Sequence, residues 1–221
     1  MKEIGCSEYN GTPAAWIEFL IAWQKKKDIQ LEYEKDFDLD AYVADFPIDA
    51  PESYKHFMAA WEAIGKSDFL PVPTVDNSEF FNLRSPYDVE CFALCHSIGR
   101  HVLEEKWELT VPLSLAADNY RIYSTEQDDL SLSNAYFCSW VVADYRFVGG
   151  HVFMLINPLV RTTDGEWEAC YFDANAPYSA RFLSFAELIV YLYINDTVND
   201  ENFSWRGYKE DQTGLSRLLF K

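Results

Sequence analysis

The stretch HVFMLINPLVRTTDGEWEACYFD, residues 151–173, decides how the rest of the chain is read. Two runs rich in β-branched and aromatic residues, His151 to Asn157 and Glu166 to Asp173, flank Asp164-Gly165. That dipeptide supplies the positive φ of a hairpin turn. Val152-Phe153-Met154-Leu155-Ile156 is apolar at every position. Such a strand needs a sheet covered, at least in part, on both sides. Upstream, Tyr136 to Tyr145 reads as a further strand, and Gly149-Gly150 as a positive-φ turn between it and the quoted stretch. The three strands then form an antiparallel meander. Asn119 to Tyr123 reads as one more strand, and Ser184-Phe185-Ala186-Glu187-Leu188 opens a capped helix running through Ile194.

The N-terminal part reads as helical. Thr12-Pro13 pairs a capping residue with proline at a first helical position, and Trp16, Phe19, Leu20 and Trp23 follow at helical spacing. Lys25-Lys26-Lys27 places cations where the helix dipole favours them. Asp28 to Asp45 holds seven acidic residues and one lysine, as a solvated loop or a short helix around Leu39 to Val43. Pro51-Glu52-Ser53 starts a helix with Tyr54, Phe57, Met58, Trp61 and Ile64 as its buried stripe and Gly65 as its stop. Ser85-Pro86, with Asp88 placed for a capping box, predicts a third helix carrying Val89, Phe92, Ala93 and His96 and ended by Gly99. The expected class is α+β, a mostly antiparallel central sheet with helices packed on it. With no repeat or low-complexity linker, residues 1–221 are expected to form a single domain. The tail from Asn195 to Lys221, with Trp205, Tyr208 and Leu215-Leu218-Leu219-Phe220, is expected to dock back on it.

Composition narrows the function classes. Of 221 residues, 49% are hydrophobic and 17% aromatic, enough apolar surface for a large core. Against 18 basic residues stand 36 acidic ones, a net charge of −18. Such a surface repels nucleic acid and anionic lipid and attracts cationic partners, besides keeping the chain soluble. Met1-Lys2-Glu3-Ile4-Gly5-Cys6 has no signal-peptide pattern, and the apolar run Pro13 to Trp23 is too short to span a bilayer. Five scattered cysteines (Cys6, Cys91, Cys95, Cys138 and Cys170) suit reduced thiols, so the expected location is cytoplasmic.

From Phe46 to about residue 195 the motif order resembles the SUKH superfamily, the Smi-Knr type of fold. The early signature is Phe46-Pro47, Pro51-Glu52-Ser53-Tyr54-Lys55-His56-Phe57 and Gly65. The later one is Ile122-Tyr123, the loop Gln127-Asp128-Asp129, Asn157-Pro158, Asp164-Gly165-Glu166-Trp167-Glu168-Ala169 and Ser184-Phe185-Ala186-Glu187-Leu188. The first 45 residues, the last 25 and the insert from Lys106 to Asp118 have no counterpart in it. The resemblance implies an immunity protein without catalytic machinery or cofactor. Bacterial members of the family bind and silence a secreted toxin, often a nuclease, deaminase or other enzyme acting in the cytoplasm. Eukaryotic members take part in signalling, so a regulatory scaffold is the neighbouring alternative.

A blocking protein needs only a surface complementary to its target, and carboxylates backed by aromatic residues suit a basic cleft. The candidate toxin-binding residues are therefore Glu126, Asp128 and Asp129; Asp144 and Tyr145; and Asp164, Glu166, Trp167 and Glu168. Strand alternation puts Glu166 and Glu168 on one face and Trp167 and Tyr171 on the other. For Trp167 the core is the favoured reading, being the commoner place for a strand tryptophan. Rival chemistry is thin. Cys91, Cys95, His96 and His101 lack a second paired ligand set for zinc, and helical spacing turns His96 away from the two thiols. An undetected hydrolase would use Cys95 or Cys138 with His151, or the Glu166–Glu168 pair, yet no local nucleophile signature accompanies them.

Overall fold

A computed structural model describes residues 12–25, 27, 33–34, 36–65, 70, 80–92, 139–148, 150–161, 165–173 and 179–197. Within them the chain forms helix α1 (Pro13–Lys25), α2 (Leu39–Ala44) and α3 (Glu52–Ala63) before any strand. Strands β1 (Asn82–Leu83), β2 (Glu90–Cys91), β3 (Trp140–Phe147), β4 (Gly150–Arg161), β5 (Trp167–Asp173) and β6 (Ser179–Phe182) follow, then helix α4 (Phe185–Thr197). The six strands make one open antiparallel sheet in the order β1-β3-β4-β5-β6, with β2 also paired to β3. The architecture is α+β.

Strand β4 sits at the centre, and its side chains divide the interior in two. Val152, Met154 and Ile156 face a large core with Val142, Trp167, Ala169, Tyr171 and Phe182, closed by α1, α3 and α4. Phe153 and Leu155 face the other way, into a smaller core with Phe92, Val141, Cys170 and Phe172. The all-apolar pattern of this strand thus has its expected cause, a cover on each side. A β-bulge between Val141 and Ala143 shifts the β3 register, so Val142 joins Ala143 in the larger core.

The helices bury the predicted stripes. Trp16, Leu20 and Trp23 of α1 are fully covered, with Trp16 edge-on to Phe57 of α3 at 5.3 Å. Each such side chain contributes roughly 1.5–3 kcal/mol of burial. Helix α3 ends where Gly65 takes φ 77°, the left-handed value a C-terminal stop needs.

Three expectations change. Ser85-Pro86-Tyr87-Asp88 is a turn, closed by Asp88 N–H donating to Ser85 C=O at 2.8 Å and Tyr87 N–H to Ser85 Oγ at 3.3 Å. The chain then enters β2, since the serine and proline signals of a helix start are equally those of a turn and pairing with β3 decides between them. The first helical residue is Phe92, and Ala93, His96 and Gly99 of the expected helix lie outside the described residues. Gly150 is the first residue of β4, opposite Phe147, and not a positive-φ turn residue. Strand β6 went unforeseen, because four residues carry too short a pattern. The expected strand at Asn119 to Tyr123, the insert at Lys106 to Asp118 and the tail beyond Thr197 lie outside the described residues.

Gly165 holds φ 88° with open space where a Cβ would sit, so a substitution there strains only the backbone. Gly165→Ala is expected to lower stability by about 1–2 kcal/mol, and Gly165→Asn by less. Urea unfolding of the three proteins checks the order.

Candidate functional site

Strand β5 enters the sheet with three candidate residues, and the fold takes all three inside. Glu166, Trp167 and Glu168 are 6%, 2% and 1% exposed. Glu166 accepts the Ser53 backbone N–H at 3.1 Å and the Ser53 hydroxyl on its other carboxylate oxygen. Pro51 precedes α3 and offers no side-chain cap, so Glu166, reaching from just before β5, accepts the Ser53 N–H in the first turn of that helix. Glu168 turns to the other side of the sheet. Its Oε2 accepts Asn157 Nδ2 at 3.0 Å and its Oε1 lies 3.3 Å from Arg181 Nη1, an ion pair with both side chains at most 4% exposed. The expected shared face of the two glutamates is therefore corrected: Glu166 lies before the strand begins, where alternation does not yet apply.

Trp167 is a core residue. It meets Trp140 edge-on at 5.3 Å, and the Arg161 guanidinium lies 4.5 Å over its ring. Arg161 also reaches Asp49 at 3.4 Å, joining β4 to the segment before α3. Glu166, Trp167 and Glu168 are thus all buried, each engaged by a neighbour inside the chain.

Asp144 is part of a charged cluster at the β3 edge. Arg84 Nη2 lies 2.6 Å from its Oδ2, Glu90 stands 3.8 Å from Arg84 Nη1, and His151 Nε2 lies 3.7 Å from the other aspartate oxygen. Arg146 Nε donates to His151 Nε2 at 3.3 Å. Tyr145 stacks on Phe147 at 5.7 Å beside the hairpin tip, where Val148 is fully exposed. Glu126, Asp128, Asp129 and Asp164 lie outside the described residues, as do Cys95, His96, His101 and Cys138. Cys91 is in β2, and Cys170 is buried with its thiol pushed well up by burial, unfit to supply a thiolate. Among the described residues no three His, Cys, Asp or Glu side chains gather as a metal site, and no helix is long and apolar enough to cross a membrane.

Exposed acidity gathers elsewhere. Glu34, Asp36, Asp38, Asp40, Asp45, Asp49 and Glu52 all face solvent on one stretch of chain around α2. Between them Tyr33, Phe37, Leu39, Tyr42, Phe46 and Ile48 pack against the larger core. The segment is pinned by Glu34 N–H donating to Ala63 C=O at 2.9 Å and by Asp38 Oδ1 capping α2 through Ala41 N–H at 2.9 Å. Burial, then the carboxylate of Glu62, then Tyr87 push the Tyr42 phenol up to about 12. Tyr87 itself, close enough to act on Tyr42, is 78% exposed. A legible signal preceded this surface: seven acids against one lysine from Asp28 to Asp45, interleaved with aromatic residues.

Comparison with protein-family models, curated proteins and solved structures found no match.

The Glu168–Arg181 pair yields a sharp expectation. Arg181→Met strands a buried carboxylate and is expected to cost about 3–5 kcal/mol. Combining it with Glu168→Leu recovers most of that loss. Equilibrium denaturation of the single and double variants, read as a cycle, checks the coupling.

Proposed function

We propose that this chain is a SUKH-like immunity protein. In this reading it binds a basic toxin domain and blocks its active site, without catalysis of its own. The observation that carries the reading is the α2 surface: seven exposed carboxylates on a segment pinned by its own aromatic residues, with exposed Tyr87 alongside. An aromatic side chain can anchor a partner while the carboxylates around it supply a potential complementary to a cationic surface. Asp36, Asp40 and Asp45 have no ion-pair partner among the described residues, so their field is directed outward. The net charge of −18 adds long-range attraction toward a nucleic-acid-acting or other cationic enzyme.

The family part of the proposal draws support from a physical link between its two signatures. Ser53 of the early motif and Glu166 of the late one are hydrogen-bond partners, 113 residues apart. Within the late signature Asn157 donates to Glu168, and Ser184 accepts Glu187 N–H at the start of α4. Residues that contact one another in the fold explain why these motifs occur together.

The test is co-expression with the product of the neighbouring reading frame. That product is expected to be toxic alone, harmless with this chain, and recovered with it as a one-to-one complex. Within such a complex, Asp36→Lys, Asp40→Lys and Asp45→Lys together are expected to slow association by ~10-fold or more at low salt. Tyr87→Ala is expected to speed dissociation, and all these variants keep the wild-type melting temperature. Association rates indifferent to the three reversals and to salt would remove the α2 surface from the interface. A small-molecule turnover by the purified chain, lost on replacing one side chain, would overturn the non-catalytic reading.

A further inference from the structure

Arg161, the last residue of β4, rests its guanidinium on a seat made by three other residues. Its Cζ lies 4.5 Å over the Trp167 ring, its Nη2 is 3.4 Å from Asp49 Oδ2, and its Nε donates to Pro158 C=O at 3.1 Å. An indole face, a carboxylate and a carbonyl oxygen together suit a planar cation with several donors, and suit a compact ammonium less well. The floor of the seat is fixed, because Trp167 is packed into the larger core and met edge-on by Trp140 at 5.3 Å. Its occupant is held less firmly. The Arg161 side chain is 50% exposed and that of Asp49 77%, so water screens their ion pair and weakens it. The β4–β5 ladder is irregular between Asn157 and Arg161, and Arg161 opposite Trp167 is the one register pair beyond that irregularity.

We propose that this seat is an arginine-exchange site. Arg161 fills it in the free chain, and an arginine of a basic protein partner takes its place in the complex. That the partner is a basic protein rests on the immunity-protein reading; the preference for a guanidinium rests on the seat itself.

Position joins the seat to the acidic surface. Asp49 is one of the exposed carboxylates around α2, with Asp45 before it and Glu52 after it. A basic loop laid along these side chains brings a guanidinium to Asp49 from the solvent side. The exchange keeps the seat filled, since Trp167 and Asp49 trade one guanidinium for another and neither is left bare. The incoming group competes with a tethered one, and its neighbours on the same loop offset that disadvantage through the adjacent carboxylates. A plain brace between β4 and the segment before α3 behaves in the opposite way, because no outside cation shares its seat.

The experiment follows the indole N–H signals of Trp140 and Trp167 by NMR in wild type and in Arg161→Ala. Ethylguanidinium is expected to shift both signals saturably in Arg161→Ala, and to bind wild type several-fold more weakly because Arg161 competes. Ethylammonium is expected to bind Arg161→Ala more weakly than ethylguanidinium does. Adding Asp49→Asn to Arg161→Ala is expected to lower the ethylguanidinium affinity several-fold. In wild type, a hexa-arginine peptide is expected to return the ring-shifted side-chain protons of Arg161 to the positions of a solvated arginine. The absence of a saturable shift in Arg161→Ala overturns the site, as does equal affinity for the two cations or for the two proteins. Arg161 protons that keep their ring shift at millimolar peptide overturn the exchange, and this measurement decides alone if Arg161→Ala does not fold. No toxin enters these titrations. Their failure leaves the α2 interface standing, and a failed co-expression leaves the guanidinium seat standing.

Discussion

One buried carboxylate ties the helical half of this protein to its sheet. Glu166 stands at the mouth of β5 and caps α3 from a distance of 113 residues, where Pro51 gives the helix no cap of its own. An uncapped helix start in a dry interior leaves N–H groups without acceptors, and a lone buried carboxylate is equally costly. Each group meets the need of the other. The position of α3 on the sheet, and with it the seat for α1 and α2, follows from that contact and from the apolar surface packed around it.

The same arithmetic of burial separates the acidic residues of this chain into two populations. Glu166, Glu168 and Glu187 lie inside, each with hydrogen-bond donors supplied by the backbone, an amide, a hydroxyl or a guanidinium. The carboxylates around α2 lie outside, where water solvates them and their field extends toward other molecules. Only the second population suits recognition of a cationic partner. The aromatic side chains of the α2 segment pack inward, so the acidic residues are presented on a held segment and lose less entropy on binding than a loose tail would.

The charged group at the β3 edge belongs to neither population. Arg84 is paired with Asp144 and Glu90, and Arg146 donates to His151, beside an exposed hairpin tip. Their mutual pairing explains why Asp144, though close to the surface, presents little net charge to a partner.

Much of the framework was legible from residue order alone. The buried stripes of α1 and α3, the Gly65 and Gly165 positions and the two-sided burial of β4 follow from periodicity and backbone sterics, which are local. The turn at Ser85-Pro86 was not, because its signals serve a helix start and a turn equally, and pairing with β3 chooses. The core position of Trp167 was legible as the commoner place for a strand tryptophan, but the destination of Glu166 and Glu168 was not. Alternation along a strand says which residues share a side, but says nothing of what lies across from them. Ser53, Asn157 and Arg181 supply those partners from distant points of the chain. Local chemistry thus determined the elements and the charge of this protein, and tertiary packing alone decided which carboxylates face solvent, since burial depends on neighbours that sequence proximity does not reveal.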